Sequence, residues 1–230
     1  MDKRYARQIA VPEIGKDGQL KLNQAKVFII GCGALGSMVA MQLAGAGIGL
    51  IGIADFDNIE ISNLQRQFFF TTRQTGIPKV EILAQRIKEL NPATEVVIFK
   101  EMITGRKAEI LFSDYDFIID ASDNPDTKEM TGKIAGKIGI PCCIGGVQNF
   151  SGQVTTFLSN ASRFEEYFGE ADSQGFLPCS LAGVIGPAAA LCASIQATEA
   201  IKFIIGKGNL LSERLLTFNL LTDSFHVFQM

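Results

Sequence analysis

A chain of 230 residues, 47% hydrophobic and 20% charged, has the length and composition of one globular domain with a sizeable core, which excludes a disordered chain. Lys and Arg total 21 against 24 Asp and Glu, so any charge that meets a phosphate is gathered locally rather than spread over a basic surface. The single histidine, His226, excludes a histidine-cluster metal site and leaves a Ser–His or Cys–His pair with one possible base.

In chain order, Val27–Ile30 is a short apolar run bounded by glycine and reads as a buried strand. Gly31-Cys32-Gly33-Ala34-Leu35-Gly36 follows, then a helix over Ser37–Ala46 and a second buried strand over Leu50–Ala54. From Val27 to Ala54 the chain carries no charge for 28 residues, long enough to span a bilayer. Its seven glycines argue instead for strand, turn, helix and strand, with no membrane. An amphipathic helix follows over Pro78–Leu90, with Pro78 at the first position and Val80, Leu83, Ile87 and Leu90 on one stripe. Strands at Glu95–Lys100, Asp116–Ala121 and Cys142–Gly145, with a helix at Asp126–Ile138, complete a largely parallel α/β pattern. Beyond a β-rich Gln153–Leu158, the polar segment Ser159–Ser180 has no period, and a loop that long is usually functional. Leu181–Ile205 is a long apolar helix that Pro187 either kinks or begins, and Leu215–Asn219 and Ser224–Gln229 are antiparallel closing strands.

The cysteines are Cys32, Cys142, Cys143, Cys179 and Cys192, an odd number with no C-x-x-C pair. The N-terminal Met1-Asp2-Lys3-Arg4 has no apolar signal core. Together these predict free thiols in a reducing, cytoplasmic compartment and no zinc.

Three features carry chemistry. The G-x-G-x-x-G loop Gly31–Gly36, between a strand and a helix, lets backbone approach a phosphate. Asp55 ends the next strand, 19 residues after Gly36, where a carboxylate takes a ribose hydroxyl. That much fits NAD as well as ATP. Arg66, in Ser62-Asn63-Leu64-Gln65-Arg66-Gln67, and Lys79, on a first helical turn, add two cations that suit a polyphosphate and its departing pyrophosphate. Taken singly, each of these side chains could be an ordinary surface charge.

These segments resemble the ThiF/MoeB/HesA family, the bacterial relatives of ubiquitin-activating enzymes. The resemblance is carried by Arg4-Tyr5-Ala6-Arg7-Gln8-Ile9, Gly31–Gly36, Asp55-Phe56-Asp57, Ser62–Gln67 and Pro78-Lys79-Val80. Asp120-Ala121-Ser122-Asp123-Asn124, Ala182–Pro187 and Gln196–Lys202 continue it across nearly the whole chain. It implies an α/β, Rossmann-like fold in a single adenylation domain over residues 1–230: an N-terminal arm at 1–25, a nucleotide-binding half at 26–150, and a carrier-binding half with a crossover loop at 151–230. It implies an ATP- and Mg²⁺-dependent adenylyltransferase acting on the C-terminal carboxylate of a small β-grasp sulfur carrier ending in Gly-Gly. The carrier tail would thread under Ser159–Ser180, with sulfur coming from a separate donor protein.

The resemblance also implies residue roles. Gly31, Gly33 and Ala34 would meet the nucleotide through their backbone, Asp55 would hold the ribose, and Asn63, Arg66 and Lys79 the phosphates, with Ser62, Leu64 and Gln65 in the same binding segment. Asp123 would hold Mg²⁺ with Asn124 beside it, and Arg7 would reach the other subunit's site in a homodimer. Cys179 would serve sulfur transfer or thioester chemistry, or be a dispensable loop cysteine. Two departures stand out: the C-x-x-C pairs that hold zinc in many members are missing, and Ala34 replaces a common glycine. The shortness of the chain favours a thiamine-pathway carrier over a molybdopterin carrier. Kept as alternatives are a related enzyme acting on tRNA or a peptide precursor, an NAD(P)-dependent oxidoreductase, and a non-catalytic half of a heterodimer.

Overall fold

The computed structural model describes residues 3–158 and 183–230; the crossover segment 159–180, with Cys179, and the first residues of the expected Leu181–Ile205 helix lie outside the described residues. A 3-10 turn at Lys3–Tyr5 leads into the short helix α1 (Ala6–Ile9) and then α2 (Gly15–Gln24). Helix α2 gives little signal in the sequence, because it is mostly polar and carries glycine at its first and fourth positions. The N-terminal region folds back on its own chain. Asn91 Nδ2 donates to the buried Tyr5 hydroxyl at 2.8 Å, and Gln8 Nε2 to the Ala46 carbonyl at 2.8 Å.

The uncharged stretch divides as its glycines require, into β1 (Lys26–Ile30), α3 (Ala34–Ala46) and β2 (Leu50–Ala54). The helix starts at Ala34, three residues earlier than expected, so Gly36 is helical. Gly47 ends α3 with φ +89°, a left-handed cap that glycine adopts without a Cβ penalty. Helix α4 (Lys79–Leu90) begins one residue after Pro78, which is its N-cap. Val80, Leu83 and Ile87 are fully buried, whereas Leu90 at the helix end is exposed. Then come β3 (Glu95–Phe99), α5 (Gly105–Phe112), β4 (Phe117–Asp120), α6 (Pro125–Ile138), β5 (Cys142–Gln148) and β6 (Ser151–Phe157). Helix α5 is a second element without a clear sequence signal, being only two turns long. Last are α7 (Gly186–Ile205), β7 (Arg214–Asn219) and β8 (Ser224–Gln229). Pro187 lies in the first turn of α7 and so begins the helix rather than kinking it.

One eight-stranded sheet runs β3-β2-β1-β4-β5-β6-β7-β8. The pairs from β3 to β5 are parallel, and those from β5 to β8 antiparallel. Strand β1 lies between β2 and β4, so the chain leaves β1 on one side and later returns on the other. That crevice, outside the carboxyl ends of the strands, is where open α/β sheets bind ligands. The larger core packs α3, α4 and α7 on one face; on the other, Phe28, Phe112, Tyr115 and Ile118 pack with α5 and α6. Helix α7 is long and apolar enough to cross a membrane by composition alone. Here it packs on α3, β5 and β6, and its buried Glu199 accepts from Thr156 Oγ1 and the Leu211 N–H, each at 2.7 Å.

Candidate active site

The loop after β1 is shaped by two close approaches. Gly31 has φ +87°, and a Cβ there would lie 3.0 Å from the Ala121 carbonyl oxygen. A Cβ on Gly36 would lie only 1.7 Å from the Gly31 oxygen, so the first turn of α3 presses on the loop backbone. Gly33 caps α3, and a Cβ there would meet only Gln67 Nε2, at 3.6 Å. Its carbonyl accepts from Ser37 Oγ at 2.7 Å. Ala34 occupies the first turn of the helix, where φ is negative and alanine fits without strain.

Asp55 follows β2 and ties this loop down. Its carboxylate accepts from the Cys32 N–H at 2.6 Å and the Asp57 N–H at 2.8 Å. Burial pushes its carboxyl above the ordinary value, against the pull of the Lys79 ammonium and of the two N–H donors. Cys32, buried beneath, has its thiol pushed well up by desolvation and by Asp55, so it packs as an inert group.

Lys79 opens α4 with its side chain only 6% exposed, and its Nζ meets Asp57 Oδ2 at 2.8 Å. An ammonium has three donors, so this arrangement keeps a cation poised for an incoming anion. The preceding 3-10 turn, Ile61–Asn63, is held by reciprocal capping between Glu60 and Asn63. Asn63 is buried, and Arg66 Nη1 donates to the Ser62 carbonyl at 2.9 Å, one of the five donors of its guanidinium. Ser62 Oγ donates to Glu60, Leu64 packs against the core, and Gln65 Nε2 donates to the Val184 carbonyl at 3.2 Å.

After β4, Asp120 is fully buried and accepts from the Ser122 N–H and hydroxyl at 3.0 and 2.6 Å, the strand-end capping a carboxylate there can provide. Asp123 is exposed, and Asn124 caps α6 by accepting from the Thr127 N–H at 3.0 Å. Among the described residues no group of three or more His, Cys, Asp or Glu could hold a metal. A lone outward carboxylate nevertheless fits Mg²⁺, which is commonly held by one or two carboxylates together with substrate phosphates.

The pattern of the ThiF family matches residues 5–230. The chain belongs to that family. It is 35% identical to a sulfur carrier protein adenylyltransferase of Thermus thermophilus, covering 96% of this chain and 84% of that one. It is 36% identical to the probable adenylyltransferase/sulfurtransferase MoeZ of Mycobacterium tuberculosis, covering 96% of this chain but 58% of that longer one. The crystal structure of E. coli MccB with MccA-N7isoASN superposes with TM-score 0.84 at 22% identity, over the whole of this chain and 73% of that one, a likeness of fold. For a ThiF-family chain the dinucleotide oxidoreductase reading falls away.

Of the residues singled out in the sequence, Gly31, Gly33, Ala34, Asp55, Asn63, Arg66, Lys79, Asp123 and Asn124 follow or flank the carboxyl ends of β1, β2 and β4. Arg7 does not join them. It is exposed on α1, whose neighbours Tyr5 and Gln8 contact Asn91, Ala46 and Gly47 at the opposite end of α3. Three groups that contact these residues had not been singled out from the sequence. Asp57 is the partner of Lys79. Gln67 is 3% exposed beside Gly33, with a buried Oε1 that has no partner among the described residues. Lys128 reaches back to Asp120 from α6. Gln67 had a signal, as the last residue of the Asn-Leu-Gln-Arg-Gln run; Lys128 had none, being one of many helix lysines.

Proposed function

We propose that this chain adenylates the C-terminal glycine carboxylate of a small ubiquitin-like sulfur carrier protein, releasing pyrophosphate, as the first step of sulfur delivery to thiamine or molybdopterin. The observation that carries the reading is the buried Lys79 cation beside the glycine loop, with Arg66 next to the Gln67 that meets Gly33 and Asp123 following β4. The name of the Thermus relative supports the choice of substrate.

The attacking group is a carboxylate with a pKa near ~3.5, ionised at neutral pH, so no general base is required. The barrier is chiefly electrostatic, because an anion approaches a polyphosphate and charge moves onto the leaving pyrophosphate. The chain's residues answer that need. The Gly31–Gly36 backbone admits the nucleotide against the start of α3, and Asp55 faces the ribose. Asn63, Arg66 and Lys79 hold the phosphates. Asp123 would hold Mg²⁺, which neutralises phosphate charge when bound. Lys79 is prepaid in this sense: its cation is already desolvated and oriented by Asp57 before substrate arrives.

The reaction belongs, in this proposal, to a cytoplasmic homodimer in which Arg7 serves the partner's site and a separate protein donates sulfur. The described cysteines Cys32, Cys142, Cys143 and Cys192 are all free, which supports a reducing compartment. The edge strand β8 exposes Phe225 and Val227 on one face, an apolar surface of the kind a protein partner covers, and Phe228 on the other. Cys179 is assigned to a later sulfur-transfer step, and no zinc is invoked.

The test is ATP–pyrophosphate exchange with labelled pyrophosphate, with thiamine-type and molybdopterin-type Gly-Gly carriers in separate arms. Carrier-dependent exchange is expected, falling about 10²-fold or more in Lys79→Met and Asp123→Ala and surviving in Cys179→Ala. Failure with both carriers, while ATP still binds, would move the substrate to a tRNA or a peptide.

A further inference from the structure

We propose that Lys128 is a positioning residue for Asp123, acting through a clamp on Ser122 and on the Ser122–Asp123 peptide that follows it; the inference builds on the adenylation reading above. Lys128 closes the first turn of α6 with its side chain 19% exposed. Its ammonium donates to three acceptors on two segments: Asp120 Oδ1 at 3.3 Å and the Ser122 carbonyl at 2.5 Å at the end of β4, and the Gly145 carbonyl of β5 at 2.8 Å. An ammonium has three donors, so the group is saturated and held in one place.

What it holds is the stretch leading to Asp123. Asp120 Oδ1 accepts from both the N–H and the hydroxyl of Ser122, while Lys128 takes the Ser122 carbonyl. Ser122 is therefore fixed through its N–H, its side chain and its carbonyl. Its N–H also lies 3.1 Å from where a Gly31 Cβ would stand, and the Ala121 N–H donates to the Ile30 carbonyl at 2.9 Å. The segment before Asp123 is thus wedged between the glycine loop and β5, with Gln196 Nε2 of α7 donating to the Asp120 carbonyl at 2.8 Å behind it. Asp123 itself is exposed, so its direction is set by the backbone before it and by the Asn124 cap after it.

A plain stabilising ion pair would serve the fold without these contacts. Here the fully buried Asp120 has no partner for its Oδ2 among the described residues, and the side-chain bonds of its carboxylate there go to Ser122 and Lys128. Residues that orient a metal ligand from behind typically change metal affinity by ~10–100-fold when lost.

The test uses Lys128→Met, Lys128→Arg and the double variant Lys128→Met/Asp120→Asn, the last removing the buried charge that Lys128→Met would strand. Two quantities are read: amide hydrogen exchange at Ser122, Asp123 and Asn124 without ligands, and the Mg²⁺ concentration for half-maximal ATP–pyrophosphate exchange. In Lys128→Met and in the double variant we expect these amides to exchange about tenfold faster or more, and the Mg²⁺ midpoint to rise about tenfold, with the saturated rate little changed. Lys128→Arg, whose fork can also reach Asp120, restores both. Unchanged amide exchange and an unchanged Mg²⁺ midpoint in a folded variant would overturn the clamp. If the wild type gives no pyrophosphate exchange with any carrier, the carrier reading fails, and the amide exchange still judges the clamp.

Discussion

Asp55 is the residue where the site acts against the fold. Its carboxyl is pushed up chiefly by burial, with Lys79 and two N–H donors opposing. Between the ordinary carboxylate value and the raised one, the native state binds more protons than the unfolded state. Stability therefore falls as pH rises through that window, and the cost persists above it. Urea unfolding across that range should show this fall in the wild type and its loss in Asp55→Asn; equal pH profiles for the two proteins would show that the carboxylate is not strained. In the proposed reaction a ribose hydroxyl would donate to this carboxylate. The sequence located Asp55 because strand-end acids follow glycine loops at a readable spacing. It could not give the protonation tendency, which depends on Cys32, Asp57 and Lys79 converging from three segments.

At the level of elements, the junction of β1 and α3 is the least tolerant. The Gly36 position faces the Gly31 carbonyl at a distance no side chain accepts, and the obstacle is backbone. Gly36→Ala should cost about 1–3 kcal/mol as α3 shifts away, seen as a lower urea midpoint, and should weaken ATP binding. Gly33→Ala meets only the end of Gln67 and should leave stability nearly unchanged. The two glycines look alike in the motif, and only the packing separates them. The elements that escaped sequence reading, α2 and α5, are short, and α2 is mostly polar as well; their helicity is stabilised by docking rather than by propensity. Leu22 of α2 and Ala108 and Phe112 of α5 are fully buried, and these few contacts decide both helices. Helix α4 was legible, because Val80, Leu83 and Ile87 repeat at helical spacing and all are buried.

For the whole molecule, the placement of α1 makes a claim about assembly. Arg7 belongs to an N-terminal region docked at the far end of α3, so it can serve adenylation only in another subunit's site. Mixing inactive Arg7→Ala with inactive Asp123→Ala protein, after dissociation and reassociation, should restore about a quarter of wild-type exchange. Half the dimers are then mixed, and each mixed dimer has one complete site. No recovery, with mixed dimers present, would remove Arg7 from the chemistry.

The sequence by itself determined the α/β class, the parallel half of the sheet, the family and most of the residues proposed to bind nucleotide. Local signals sufficed there: apolar strands of four or five residues, glycines at a fixed spacing, and acids at strand ends. Tertiary structure alone decided which charges work together. Lys79 finds Asp57 across 22 residues, Lys128 closes on Asp120, Ser122 and Gly145, and Arg7 is carried away from its own chain's site. A side chain's charge is visible in sequence, but its partner is chosen by the crossing of strands β1, β2, β4 and β5, which no local pattern encodes.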